Sequence, residues 1–149
     1  MADTAEQKQE LARSVVDHMV ENDAFSRWLG IELLSLEPGK CSVKMTVRPE
    51  MVNGFGVSHG GIVFSLAESA FAFAANSHGR LSVALDNNIT YPAKVVVGDV
   101  LTAKAEELAT TNKTGSYQVL VHNQDEVLVA IFRGTVYRTP KLFFPDQAG

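Results

Sequence analysis

The sequence predicts an α+β fold in which an antiparallel sheet packs on one long central helix. Two observations carry this. The elements run helix, two strands, long helix, four strands, which is not the βαβ alternation of a parallel sheet. From Ile62 to Ala75 the long helix has only Ser65, Glu68 and Ser69 as polar residues, so it is apolar on nearly every face and a sheet must wrap it. At 149 residues the chain is expected to form one domain, with a helical extension over 1–27 and a tail over 139–149.

The elements follow in order. Thr4 with Gln7 three residues on reads as a capping box, and Leu11, Val15, Val16 and Met19 recur at helical spacing. After the short Phe25-Ser26-Arg27-Trp28 segment, Ile31 to Leu36 and Cys41 to Arg48 read as a hairpin turned at Glu37-Pro38-Gly39-Lys40. Pro49 to Ser58, with Asn53-Gly54 and Gly56, reads as a loop. The long helix is then bounded by Ser58 as N-cap and Gly79 just past its end. Leu81 to Tyr91, Val100 to Leu108, Gly115 to His122 and Val127 to Arg138 alternate as strands and are expected to form a four-stranded meander. The Phe143-Phe144-Pro145 tail carries no readable signal.

Composition excludes several function classes. A 46% hydrophobic, 20% charged chain is globular, and a net charge of −4 provides no basic field for nucleic acid or an anionic membrane. Ile62 to Ala75 would extend only ~21 Å as a helix, short of a ~30 Å hydrocarbon core. Cys41 is the only cysteine and the amino terminus has no secretory pattern, so a reducing, cytoplasmic setting is expected. The four histidines show no metal-ligand spacing, and no nucleotide-binding glycine motif occurs; no metal and no separate cofactor are expected.

Glu68 is the one ionisable group in the apolar helix, and an ionised carboxylate there is disfavoured unless paired or used. It reads either as a half-exposed or distantly paired carboxylate, or as a catalytic one. His59-Gly60-Gly61 occupies the first turn, where backbone N–H groups are unpaired; the glycines read as a close-packing device or as an oxyanion site. Gly60 and Glu68 are eight residues apart, ~12 Å along one helix, so both could serve one carbonyl only if they came from two protomers. Asn53, before Gly54, reads first as a turn residue.

The run Asn53-Gly54-Phe55-Gly56-Val57-Ser58-His59-Gly60-Gly61, followed by Phe64-Ser65-Leu66-Ala67-Glu68-Ser69-Ala70-Phe71-Ala72-Phe73-Ala74, resembles the hot-dog-fold acyl-CoA thioesterases of the phenylacetate-pathway (PaaI-like) type. Weaker similarity extends from about Trp28 to Arg138. The resemblance implies a curved antiparallel sheet wrapped around a long central helix, and a homodimer with shared active sites that pairs again into a homotetramer. It implies Glu68 as the catalytic acid, Gly60 as the N–H donor to the thioester carbonyl, and Asn53 as an aid in placing water or carbonyl. His59 and Gly61 would order the loop or touch substrate. PaaI-like members usually carry Asp where this chain has Glu68; the related 4-hydroxybenzoyl-CoA thioesterases use Glu.

The expected reaction is hydrolysis of an acyl-CoA, phenylacetyl-CoA or a related aromatic or medium-chain thioester, with coenzyme A as part of the substrate. Phe55, Phe71 and Phe73 are candidates for the acyl pocket or for plain core. Lys94, Lys104, Lys113 and Arg133 are candidates for the coenzyme A phosphates or for solvated surface. A hydratase or dehydratase using His59, or a non-catalytic acyl-CoA-binding module, is the alternative on the same fold.

Overall fold

The computed structural model describes residues 2–145. Helix α1 (Ala5–Glu21) opens on the expected capping box: the Gln7 N–H donates to Thr4 Oγ1 at 3.1 Å, and the Thr4 N–H to Gln7 Oε1 at 2.8 Å. Its buried face is Ala12, Val15 and Val16. The Phe25–Trp28 segment belongs to a second short helix, α2 (Ala24–Leu29), N-capped by Asp23 and ended by Gly30 at φ +80°. Strands β1 (Glu32–Glu37) and β2 (Lys40–Thr46) form the predicted hairpin, with Gly39 at φ +80° in its turn. A single 3-10 turn, Pro49–Met51, precedes the long helix α3 (Gly60–Asn76).

The boundaries of α3 are shifted from expectation at both ends. The N-cap is His59 rather than Ser58, because the imidazole Nδ1 accepts the Gly61 N–H at 2.9 Å. The C-cap is Ser77, and Gly79, at φ +93°, turns the chain two residues later.

Strands β3 (Arg80–Thr90), β4 (Val100–Thr110), β5 (Thr114–His122) and β6 (Leu128–Leu142) complete one six-stranded antiparallel sheet in the order β1-β2-β4-β5-β6-β3. This corrects the four-stranded meander: only β4, β5 and β6 are consecutive neighbours, and β3 pairs with β6 at the far edge. The reason is connection length. Three residues join β4 to β5 and five join β5 to β6, whereas the nine from Tyr91 to Asp99 are too many for a tight hairpin and carry the chain across the sheet. Both neighbours of β4 are in any case β2 and β5. The expected tail at 139–149 is likewise corrected. β6 continues through Leu142, which pairs with Arg80, and Phe143 and Phe144 pack edge-on against His18 of α1; residues 146–149 lie outside the described residues.

α3 lies on one face of the sheet and buries Leu66, Ala67, Ala70, Phe71, Phe73 and Ala74 against inward residues such as Val43, Leu101, Val119 and Phe132. The alanines let the helix approach closely. Phe71 packs against Tyr117 and Phe132 with ring centroids 5.7 and 5.4 Å apart, and Gly134 of β6 makes room for it. No described helix is long and apolar enough to cross a membrane. The hot-dog arrangement, an antiparallel sheet packed on one long helix, is therefore present, with the sheet open at β1 and β3.

Candidate active site

The first turn of α3 is held from both sides. Met51 O accepts the His59 N–H at 2.8 Å, and Val95 O accepts the Ser58 N–H at 2.7 Å. Asn53 shapes the loop before it: its Oδ1 accepts the N–H of Phe55 at 2.8 Å and that of Val57 at 3.4 Å. That oxygen is therefore committed to the turn, and only the side-chain amide Nδ2 remains to meet a ligand. Phe55 at the loop tip is 93% exposed.

Helix starts leave N–H groups unpaired, and here the pairing is selective. His59 covers Gly61, and the Ile62 N–H returns to His59 O at 2.9 Å. The Gly60 N–H has no partner among the described residues, and the helix dipole adds partial positive charge to it. Behind it the Tyr91 hydroxyl donates to Gly60 O at 2.7 Å. A Cβ at position 60 would lie 3.2 Å from that hydroxyl oxygen, so the tyrosine packs on bare backbone. Sequence reading passed over Tyr91 because nothing local ties a strand-end tyrosine to a glycine 31 residues earlier.

Along α3 the residues not fully buried include Gly61, Ser65, Glu68 and Ala72, which recur at helical spacing and mark a stripe turned from the core. Glu68 is thus half-buried rather than enclosed on every side, and it makes no hydrogen bond or ion pair among the described residues. Burial holds its carboxyl above the usual carboxylate value, and the negative charge of Asp23 adds to this. Asp23 is fixed at the start of α2, where it accepts from the Ser26 N–H at 2.9 Å and from Ser26 Oγ at 2.6 Å; Ser26 Oγ in turn meets Ser69 Oγ at 2.9 Å. Neither partner was visible as such in the sequence, although Asp23 three residues before Ser26 is a local cap signal.

Other expected site residues lie elsewhere. Phe71 and Phe73 are 1% exposed and pack in the core, the second of the two readings their sequence positions allow. Arg133, between buried Phe132 and Gly134, stands on the outer face of the sheet, away from α3. Lys113 lies in the β4–β5 turn beside Arg138, and the neighbouring Asn112 binds Arg80, at the end of the molecule where α3 finishes. Within one chain neither cation is brought to the helix start. Cys41 is buried with its Sγ donating to Ala70 O at 3.1 Å, and burial pushes the thiol up to about 12, so it is no nucleophile.

The profile of the thioesterase superfamily matches residues 55–130, which include the diglycine turn and Glu68. An Escherichia coli protein named acyl-coenzyme A thioesterase PaaI is 42% identical over 120 residues, 80% of this chain and 86% of that protein. The solved structure of E. coli PaaI, from the phenylacetic acid degradation operon, superposes with a TM-score of 0.88 at 39% identity, covering 90% of this chain and 97% of that one. A Streptococcus mutans protein solved with acetyl CoA bound superposes with a TM-score of 0.73 at 28% identity, covering 75% and 90%.

Proposed function

The chain belongs to the thioesterase superfamily, and from that premise we propose that it hydrolyses acyl-CoA thioesters to the free acid and coenzyme A, at sites shared between two protomers. The observation that carries this reading is the pairing on one helix of a Gly60 N–H and a half-buried Glu68 that are both without partners among the described residues. They lie ~12 Å apart on a rigid rod, so each meets the other's counterpart on an antiparallel second copy. The unpaired edge of β3, with Val83 and Leu85 exposed, offers the second copy a strand to pair with.

The chemistry follows from these groups. The Gly60 N–H polarises the thioester carbonyl and receives the oxyanion. Glu68 of the other protomer takes a proton from water as its oxygen bonds to the carbonyl carbon. The C–S bond then breaks, and the proton passes from Glu68 to the departing thiolate. The general-base role is preferred to anhydride formation because a carboxylate can deprotonate water without a separate activating residue, and the sequence shows no Ser-His-Asp or Cys-His signature; oxygen-18 entering the enzyme carboxylate in a single turnover would contradict it. Asn53 Nδ2 is positioned in sequence to assist at the carbonyl. The name of the E. coli relative and the acetyl CoA held by the S. mutans protein support acyl-CoA as the substrate class.

A free-thiol assay with acyl-CoAs tests the reading. Wild type is expected to release thiol, and Glu68→Ala to lose about 10²–10⁴-fold in kcat. Mixing Glu68→Ala with Gly60→Pro protomers, the proline lacking the N–H yet tolerated at the first helical position, is expected to restore roughly a quarter of wild-type activity, because each mixed dimer regains one intact site. No thiol release from wild type, or activity indifferent to Glu68→Ala, rejects the reading; failure of the mixture rejects the shared site.

A further inference from the structure

Two peptide planes meet at the Gly60 Cα, and each carries one carbonyl and one N–H. His59 O accepts the Ile62 N–H at 2.9 Å, Gly60 O accepts the Tyr91 hydroxyl at 2.7 Å, and the Gly61 N–H donates to His59 Nδ1 at 2.9 Å. The Gly60 N–H is the group of that set without a partner among the described residues. An open donor serves a reacting carbonyl only if its direction is fixed. Glycine, lacking a Cβ, is the residue whose flanking planes swing most easily. The Ile62 and His59 bonds belong to the helix and its cap and turn with them. Ser58 and His59 are tied to Val95 O and Met51 O, but upstream of Gly60. Among the described residues, Tyr91 is the one that bonds Gly60 itself from another element.

The tyrosine is firmly placed. It follows the last residue of β3, and Pro92 after it restricts its backbone to extended conformations. Its ring lies against Gly60, where a Cβ would come within 3.2 Å of the hydroxyl oxygen and 3.3 Å of Cζ. Partial burial holds the phenol above its ordinary value, so at neutral pH it stays a protonated donor. The ring borders a cavity of about 330 Å³ together with Gly60 and Val63, yet the one hydroxyl hydrogen is committed to Gly60 O. Tyr91 therefore acts on a bound group through the backbone. Donation to Gly60 O also polarises the 60–61 amide and strengthens the Gly61 N–H as donor to His59 Nδ1. Tyrosine, peptide and imidazole form one chain of bonds that leaves the Gly60 N–H facing out.

We propose that Tyr91 is a positioning residue that holds the Gly60 N–H in line with the thioester carbonyl as the oxyanion forms. The proposal rests on the thioesterase reading above and adds a residue to its site. Tyr91→Phe keeps the ring over Gly60, and the Phe64 N–H still reaches Gly60 O within the helix, so the fold outlasts the loss of the hydroxyl. In the thiol assay with phenylacetyl-CoA this variant is expected to lose about tenfold in kcat while KM changes by less than about twofold. A second readout needs no turnover. With Glu68→Gln slowing hydrolysis, phenylacetyl-CoA labelled with carbon-13 at its carbonyl is bound, and the C=O stretch is read by infrared difference spectroscopy. The stretch is expected below its solution frequency, because the Gly60 N–H polarises the bond, and adding Tyr91→Phe is expected to return it part of the way. A merely structural tyrosine would leave that frequency in place. The role of Tyr91 is overturned by a stretch that Tyr91→Phe does not move, by a kcat within about twofold of wild type, or by a loss confined to KM. A wild type that releases no thiol, with the bound carbonyl at its solution frequency, overturns the thioesterase reading, and the role of Tyr91 falls with it.

Discussion

The His59 imidazole and the Gly61 N–H meet at 2.9 Å, and that one bond decides which donor the helix start leaves open. With Nδ1 as acceptor, the ring carries its proton on Nε2, Gly61 is satisfied, and Gly60 alone faces outward. Removing the ring should therefore cost both stability and activity. His59→Ala is expected to lose about 0.5–2 kcal/mol, the range for a lost N-cap, and His59→Asn to retain most of it because an amide oxygen can cap the same turn. Thermal unfolding followed by circular dichroism checks this; an alanine variant as stable as wild type would show that the cap contributes nothing.

Glu68 gives a prediction whose sign is fixed by the direction of its shift. Its folded-state pKa lies above the usual 4.5, so folding favours the protonated form. The stability associated with that carboxyl is fully present below pH 4.5 and is lost as pH rises through the raised value. Glu68→Gln, which cannot ionise, is expected to be more stable than wild type at pH 7–8, with the two converging in acid. Denaturant midpoints across that range measure the gap; a gap that widens toward acid would reverse the sign.

Asp23 contributes to the same shift and can be separated from the chemistry. Asparagine retains a cap for α2, so Asp23→Asn removes the charge while keeping the hydrogen bond to the Ser26 N–H. Burial still raises the Glu68 carboxyl, but the like-charge contribution disappears. The acidic limb of kcat/KM is expected above pH 4.5 in wild type and at lower pH in the variant, with the plateau rate close to unchanged. A limb that stays in place while the plateau falls would make Asp23 merely structural.

What the sequence made legible, and what it did not, divides along the range of the interactions. The Thr4–Gln7 box, the Pro38-Gly39 turn and the apolar run of α3 are readable because each is decided within a few residues. The place of β3 is not local: its alternation predicts a strand, but the pairing with β6 depends on the length of the Tyr91–Asp99 connection and on β4 already having two neighbours. The candidate site divides in the same way. Gly60 and Glu68 stand out by residue type against their surroundings. Phe71 and Phe25 are both simply aromatic in sequence, and only packing separates a core ring at 1% exposure from one left open beside the helix start. Lys113 and Arg133 lie far from that start within one chain, a placement that residue type alone does not reveal.

Gly134 tests how closely the sheet and α3 are fitted. A Cβ there would fall 2.7 Å from Phe71 Cζ and 2.9 Å from Asn87 Oδ1, both inside contact distance. Phe71 has little room to yield, since its ring is wedged against Tyr117 and Phe132. Asn87 Oδ1 is buried without a hydrogen-bond partner among the described residues, so crowding it adds strain to an atom already poorly served. Gly134→Ala is expected to destabilise by about 1–3 kcal/mol, the cost of overpacking a well-filled core. Phe71→Leu alone loses aromatic contacts, but in the Gly134→Ala background it also relieves the clash, so the two substitutions should be less costly together than the sum of each alone. Urea denaturation of the four proteins measures that coupling, and strict additivity would mean that the sheet, rather than the ring, moves aside.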